Sequence, residues 1–157
     1  MRYAKQTSVS CDKSKAEIEK ILMRYGASQF VYGTKDGQAV VGFFANDRFI
    51  RFNLPLPSLD DYTKTAHGRR RRGGTEAVMK AFEQGSRQRW RALALLIKAK
   101  LESVESQITV FEDEFMAHIV LPGGITVGES IKGKIEDAYK GGKAIALLPD
   151  FSDRRKP

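Results

Sequence analysis

The residue pattern with the plainest chemistry is a run of cations. Residues 64–100 hold eleven basic side chains, from Lys64 through Arg69, Arg70, Arg71 and Arg72 to Lys100, against two acidic ones, Glu76 and Glu83, a local net of +9. The other 120 residues carry sixteen basic and seventeen acidic groups, so this stretch supplies the whole formal charge of +8. Arginine dominates it, and the guanidinium fork matches the spacing of phosphate oxygens. Charge focused in this way implies an anionic partner, a nucleic acid first or else an acidic protein. In that reading Arg69–Arg72 grip phosphates and Lys80, Arg87, Arg91 and Lys98 continue the track. The competing reading is a solvated face that only aids solubility.

Other chemistry-bearing groups point to less. Glu112-Asp113-Glu114 is the densest acidic cluster, and carboxylates gathered on a divalent cation would make a metal-dependent nuclease. Consecutive helical residues diverge by about 100°, however, so the three cannot converge on one ion; acids at a helix start also complement its dipole. His67 and His118 stand in no metal-ligand spacing. His118, among apolar neighbours, reads as a packing residue. Cys11 has no partner for a disulfide, a zinc cluster or a nucleophilic dyad. Gly123-Gly124 and Gly141-Gly142 fit neither phosphate-loop pattern. No catalytic residue, metal or cofactor is implied, which leans away from an enzyme.

The elements that must position the cations follow from local pattern. Ser14-Lys15-Ala16-Glu17 has the form of a capping box, followed by Ile18, Ile21, Leu22 and Tyr25 at helical spacing and by Gly26, which predicts a helix over 14–25. Strands are expected at 29–33, 38–45 and 48–54, joined by turns at Asp36-Gly37 and Asn46-Asp47 and ended by Pro55 and Pro57. Residues 58–74 read as a long basic loop. Phe82, Ser86, Trp90, Leu93, Ile97, Leu101 and Val104 then form one stripe of a helix over 75–106. Lys80, Arg87, Arg91 and Lys98 lie on a second stripe about 100° round from the first.

Beyond Gln107 the pattern favours a short helix opened by Thr109-Val110-Phe111-Glu112, with strand at 117–121 as the alternative. Thr126-Val127-Gly128-Glu129 opens another helix, with Ile131, Ile135 and Tyr139 on one face. Ala144–Leu148 is a short apolar segment. In the meander, Phe30 and Tyr32 share one face while Phe43 and Phe44 take opposite faces. Phe30 and Tyr32 are the candidates for stacking on bases, if they are not core.

The expected architecture is α+β: an N-terminal helix, a three-stranded antiparallel meander, one long amphipathic helix, then shorter C-terminal helices. With 157 residues, 41% hydrophobic and 29% charged, the chain suits a single globular domain with flexible ends at 1–12 and 150–157. No apolar run reaches the ~18 residues of a membrane span, and a signal-peptide core is missing, so a cytoplasmic location is expected.

Five strings are distinctive as a set: Arg24-Tyr25-Gly26-Ala27, Leu54-Pro55-Leu56-Pro57, Arg87 to Leu93, Lys98 to Glu102, and Phe111 to Phe115. Over roughly 14–148 they resemble a family of small conserved proteins of tailed bacteriophages and prophages. That family carries no assigned active site, so the resemblance implies context and transfers no residue role. A second likeness, of topology alone, is to the core of Rad52-type single-strand annealing proteins. The first implies a phage early or replication gene acting in the cytoplasm of a host bacterium; the second ranks single-stranded DNA, in replication or recombination, as the expected partner ahead of an acidic host protein. The long apolar stripe of the 75–106 helix invites self-association into a homo-oligomer.

Overall fold

The computed structural model describes residues 4, 6–35, 37–63 and 74–141; Asp36, His67, Arg69–Arg72 and Ala144–Leu148 lie outside the described residues. In order come α1 (Cys11–Arg24), β1 (Ser28–Lys35), β2 (Gln38–Ala45), β3 (Arg48–Pro55) and a 3-10 turn at Asp60–Tyr62. Then follow α2 (Gly74–Glu105), α3 (Phe111–Phe115), a 3-10 turn at Met116–His118 and α4 (Val127–Lys140). The architecture is the expected α+β one.

Helix α1 begins at Cys11, upstream of the expected start at Ser14. Ser10 is its N-cap, and the Ser10 hydroxyl accepts from the Lys13 amide at 3.2 Å. Ser14 lies inside the helix, one turn before the buried Ile18 and two before Leu22. It is fully buried, and its hydroxyl has no partner among the described residues. Glu17, the other half of the expected box, reaches across to Arg91. At position 14 the core-facing stripe wins over the capping pattern. Upstream, the chain is held against α2, where Gln84 Nε2 donates to the Thr7 carbonyl at 3.0 Å. Gly26 ends the helix at a φ of 78°, letting the Ala27 amide reach back to the Leu22 carbonyl.

The sheet runs β1-β2-β3, antiparallel throughout. Asn46 and Asp47 both take positive φ (47° and 56°), the handedness that a two-residue hairpin between twisted strands demands. Ala39, Val41, Phe43 and Ala45 alternate inward along β2, as do Ile50 and Phe52 along β3. They close a core with Ile18 and Leu22 of α1, with Trp90, Leu93, Ala94, Ile97 and Leu101 of α2, and with Phe111 and Phe115. On the other face Phe44 pairs directly with Phe49. The Phe49 ring lies over Gly42, where a Cβ would stand 2.8 Å from it.

The stretch after Gln107 takes both alternatives in turn. Phe111–Phe115 is helical, but Val110 is the N-cap and no side chain caps it, so the Thr109–Glu112 box does not form. Ile119 then bridges to Ile50 and Val120 to Thr126 around Gly123 and Gly124, both at positive φ. The Val120 amide donates to the Phe49 carbonyl at 2.8 Å, which covers the β3 edge. At α4 the Thr126–Glu129 capping box forms with both bonds present. The Thr126 amide, with Arg51 adding its charge, holds the Glu129 carboxyl below its usual range. Among the described residues no helix is long and apolar enough to cross a membrane.

The two serines separate by experiment. Ser10→Ala should lower stability by about 1 kcal/mol in urea unfolding, the usual cost of a missing cap. Ser14→Ala should leave stability unchanged or raise it, because it removes a buried hydroxyl without a partner.

Candidate nucleic-acid interface

Helix α2 positions every described cation of the basic segment. Its buried stripe of Trp90, Leu93, Ala94, Ile97 and Leu101 seats the C-terminal half on the sheet. Phe82 and Ser86, further upstream on the same stripe, are only half-buried. The second stripe, about 100° away, turns in part toward α1 rather than wholly into open solvent.

Its members meet different fates. Arg91 Nη1 donates to the Glu17 carboxylate of α1, and both side chains are partly shielded. Arg87 lies 3.7 Å from Glu83, one turn before it on α2, and its Nε is buried without a partner among the described residues. Lys15 of α1 sits over the Trp90 ring, 5.1 Å from its centroid. Lys80 and Lys98 are exposed and make no ion pair among the described residues. At 1.5 Å per residue they stand about 27 Å apart along the axis. Two further cations of the segment are tied to the body. Arg89 Nη1 donates to the Pro55 carbonyl at 2.5 Å. Lys100 Nζ donates to both the carbonyl and the carboxylate of Glu114, at 2.8 and 2.9 Å.

Arg69–Arg72 lie outside the described residues, but the described chain on either side of them is well placed. The 3-10 turn at Asp60–Tyr62 rests on α2 at Gly85, where a Cβ would collide with Tyr62 Oη. The described chain stops at Thr63 and resumes at Gly74, the first residue of α2. Tyr62, next to Thr63, thus meets α2 at Gly85 in its N-terminal half, and Gly74 and Gly85 are about 16 Å apart along the helix.

The aromatics divide between the two faces of the sheet. Tyr32 is opposite Val41 and so shares the helix-covered face. Its hydroxyl donates to the Lys15 carbonyl at 2.7 Å, and its ring meets Trp90 and Phe30 edge-on. Burial pushes the Tyr32 phenol far above its ordinary pKa. Phe30 is half-buried against the core. Both rings are thus engaged with neighbours in the chain. Alternation along the strand places Phe43 and Phe44 on opposite faces without saying which is covered. Phe44 and Phe49 are the pair that faces away from the helices, and the signal that singles them out is their cross-strand register.

Comparison with family models, curated proteins and solved structures finds no match. Among the described residues no group of three or more His, Cys, Asp and Glu side chains could hold a metal ion. Of the acidic cluster, Glu114 is spent on Lys100 while Glu112 and Asp113 are exposed. Cys11 lines a shallow groove of about 330 Å³ with Phe82, Glu83, Ser86 and Arg87, and burial pushes its thiol up, away from the thiolate.

His118 stacks on Phe52, with ring centroids 4.0 Å apart. Burial, followed by the nearby charge of Lys100, lowers its pKa, while a hydrogen bond to the Arg51 backbone opposes the shift. A depressed histidine favours the fold when neutral. The contribution is complete above the ordinary value of 6.5 and is lost as pH falls through the folded value. The urea midpoint should therefore drop on acidification below about pH 6.5. His118→Phe, which keeps the stack, should flatten that part of the profile.

Proposed function

We propose that this protein binds single-stranded nucleic acid without catalysis, as a DNA-binding factor of phage replication or recombination. The observation that carries the reading is the +9 segment at 64–100 in a chain otherwise close to neutral. Its described cations all belong to one helix, with Lys80 and Lys98 offered to solvent. Arg69–Arg72 supply the main grip on phosphates, and Lys80 and Lys98 extend it along α2. Arg87 and Arg91 join when a phosphate replaces their present carboxylate partners. Contacts of this type fix position on the strand and carry no base code.

In a second reading the same basic segment at 64–100 docks on an acidic host protein instead, and its focused charge steers that association. Pull-down from nuclease-treated lysate separates the readings, since a partner bridged by DNA disappears.

Binding of a labelled oligonucleotide should weaken steeply with salt. With about five phosphates neutralised, log K against log[salt] should slope near −3.5. Replacing Arg69–Arg72 together by alanine should make the slope shallower by about 0.7 for every phosphate no longer neutralised, equally for all sequences. Salt-insensitive binding, or none at low salt to DNA or RNA, refutes the proposal.

A further inference from the structure

The seam between α1 and α2 places carboxylates where a bound strand would place phosphates. Arg91 and Arg87 are one helical turn apart on α2, about 6 Å along the axis. Glu17 of α1 occupies the Arg91 guanidinium, and Glu83 stands at the edge of Arg87. The two pairs are unequal. Glu17–Arg91 is a direct, partly shielded hydrogen-bonded pair, with side chains 35% and 24% exposed. Glu83–Arg87 is a longer contact to a carboxylate that is 61% exposed, and Arg87 keeps a buried Nε–H without a partner among the described residues. A phosphate is best held by two parallel N–H groups, so while Glu17 keeps Nη1 the Arg91 fork of Nη1 and Nη2 is not open to it. Glu83, by contrast, only draws on the charge of Arg87.

We infer that Glu17 is an intramolecular competitor for the nucleic acid. It holds Arg91 ordered in the free protein and must be displaced before Arg91 can take a phosphate. Glu83 acts in the same sense, more weakly, on Arg87. The inference rests on the proposed single-strand binding and adds its regulation: the chain sets its own affinity below what its cations allow. Lys80 and Lys98, exposed and without an ion-pair partner among the described residues, make first contact, and the seam arginines engage at the cost of the α1–α2 bridge. Lys15 over Trp90 and Tyr32 against the Lys15 carbonyl keep α1 on the body once Glu17 is released.

The test is anisotropy of a fluorescein-labelled oligothymidylate with the full chain, in which wild type, Glu17→Gln, Glu83→Gln and Glu19→Gln are compared over a salt series. Glu19 is an exposed acid on the same helix as Glu17 and makes no ion pair among the described residues, so its substitution changes net charge identically without freeing an arginine. Glu17→Gln should tighten binding about two- to fivefold relative to Glu19→Gln, the range that a partly exposed ion pair permits. Its salt slope should steepen by about 0.7, one added phosphate on a single strand. Glu83→Gln should move the same way by less. It alters only an exposed side chain, so it keeps the test alive if Glu17→Gln fails to fold. With Arg91→Ala as background, the Glu17→Gln gain should vanish. Equal affinities for Glu17→Gln and Glu19→Gln, with wild type binding in a salt-dependent way, overturn the inference and leave the binding proposal standing. Failure of every variant to bind at low salt overturns both.

Discussion

An α-helix of thirty-two residues is about 48 Å long, whereas strands of eight residues extend about 27 Å. The sheet can therefore shelter little more than half of α2, and this mismatch governs the rest of the molecule. From Trp90 to Leu101 the helix is sealed in one core with Val41, Phe43, Ile50 and Phe52. The N-terminal half extends past the sheet and depends on lateral supports. Those are Gln84 on the Thr7 carbonyl, Tyr62 against Gly85 and, where the core begins, Arg91 on Glu17. Arg89 on the Pro55 carbonyl marks the boundary between the two regimes.

The supports explain how the two cationic residue types are distributed. Where α2 meets the body the cations are Arg87, Arg89 and Arg91, whose long planar forks can span a helix seam and bond a carbonyl or carboxylate on the far side. Where the helix faces water they are Lys80 and Lys98, compact charges on flexible stems that are strongly hydrated. Lys100 is the exception, drawn in by the carbonyl and carboxylate of Glu114 beside the Phe115 ring. The guanidinium groups that the proposed binding would call on are thus the ones that fasten the helix.

Much of the fold was legible because it is written locally. Asn46-Asp47, Gly26 and the Thr126–Glu129 box each specify a geometry within a few residues, and each forms. The stripe from Trp90 to Leu101 repeats over enough turns to stand out from its neighbours. What escaped depends on partners distant in sequence. Ser14 matched a capping pattern, yet its place one turn from Ile18 committed it to the core, and Ser10 took the cap. Phe44 and Phe43 were separable by alternation, but only packing of the helices decides which ring is covered. Most of all, the angle between two stripes on α2 could be read from spacing, while the fact that α1 lies along the second stripe could not. Seventy-four residues separate Glu17 from Arg91.

Gly85 sits in the middle of a helix where alanine would be the better helix former by about 1 kcal/mol. Its hydrogen is what lets the Tyr62 oxygen settle against the backbone. A methyl group there would collide with that oxygen, and the Tyr62 ring would have to swing off the helix. A neutral, apolar change at one point of the helix would thus undo the side-chain contact between the 3-10 turn and α2 while leaving every charge in place.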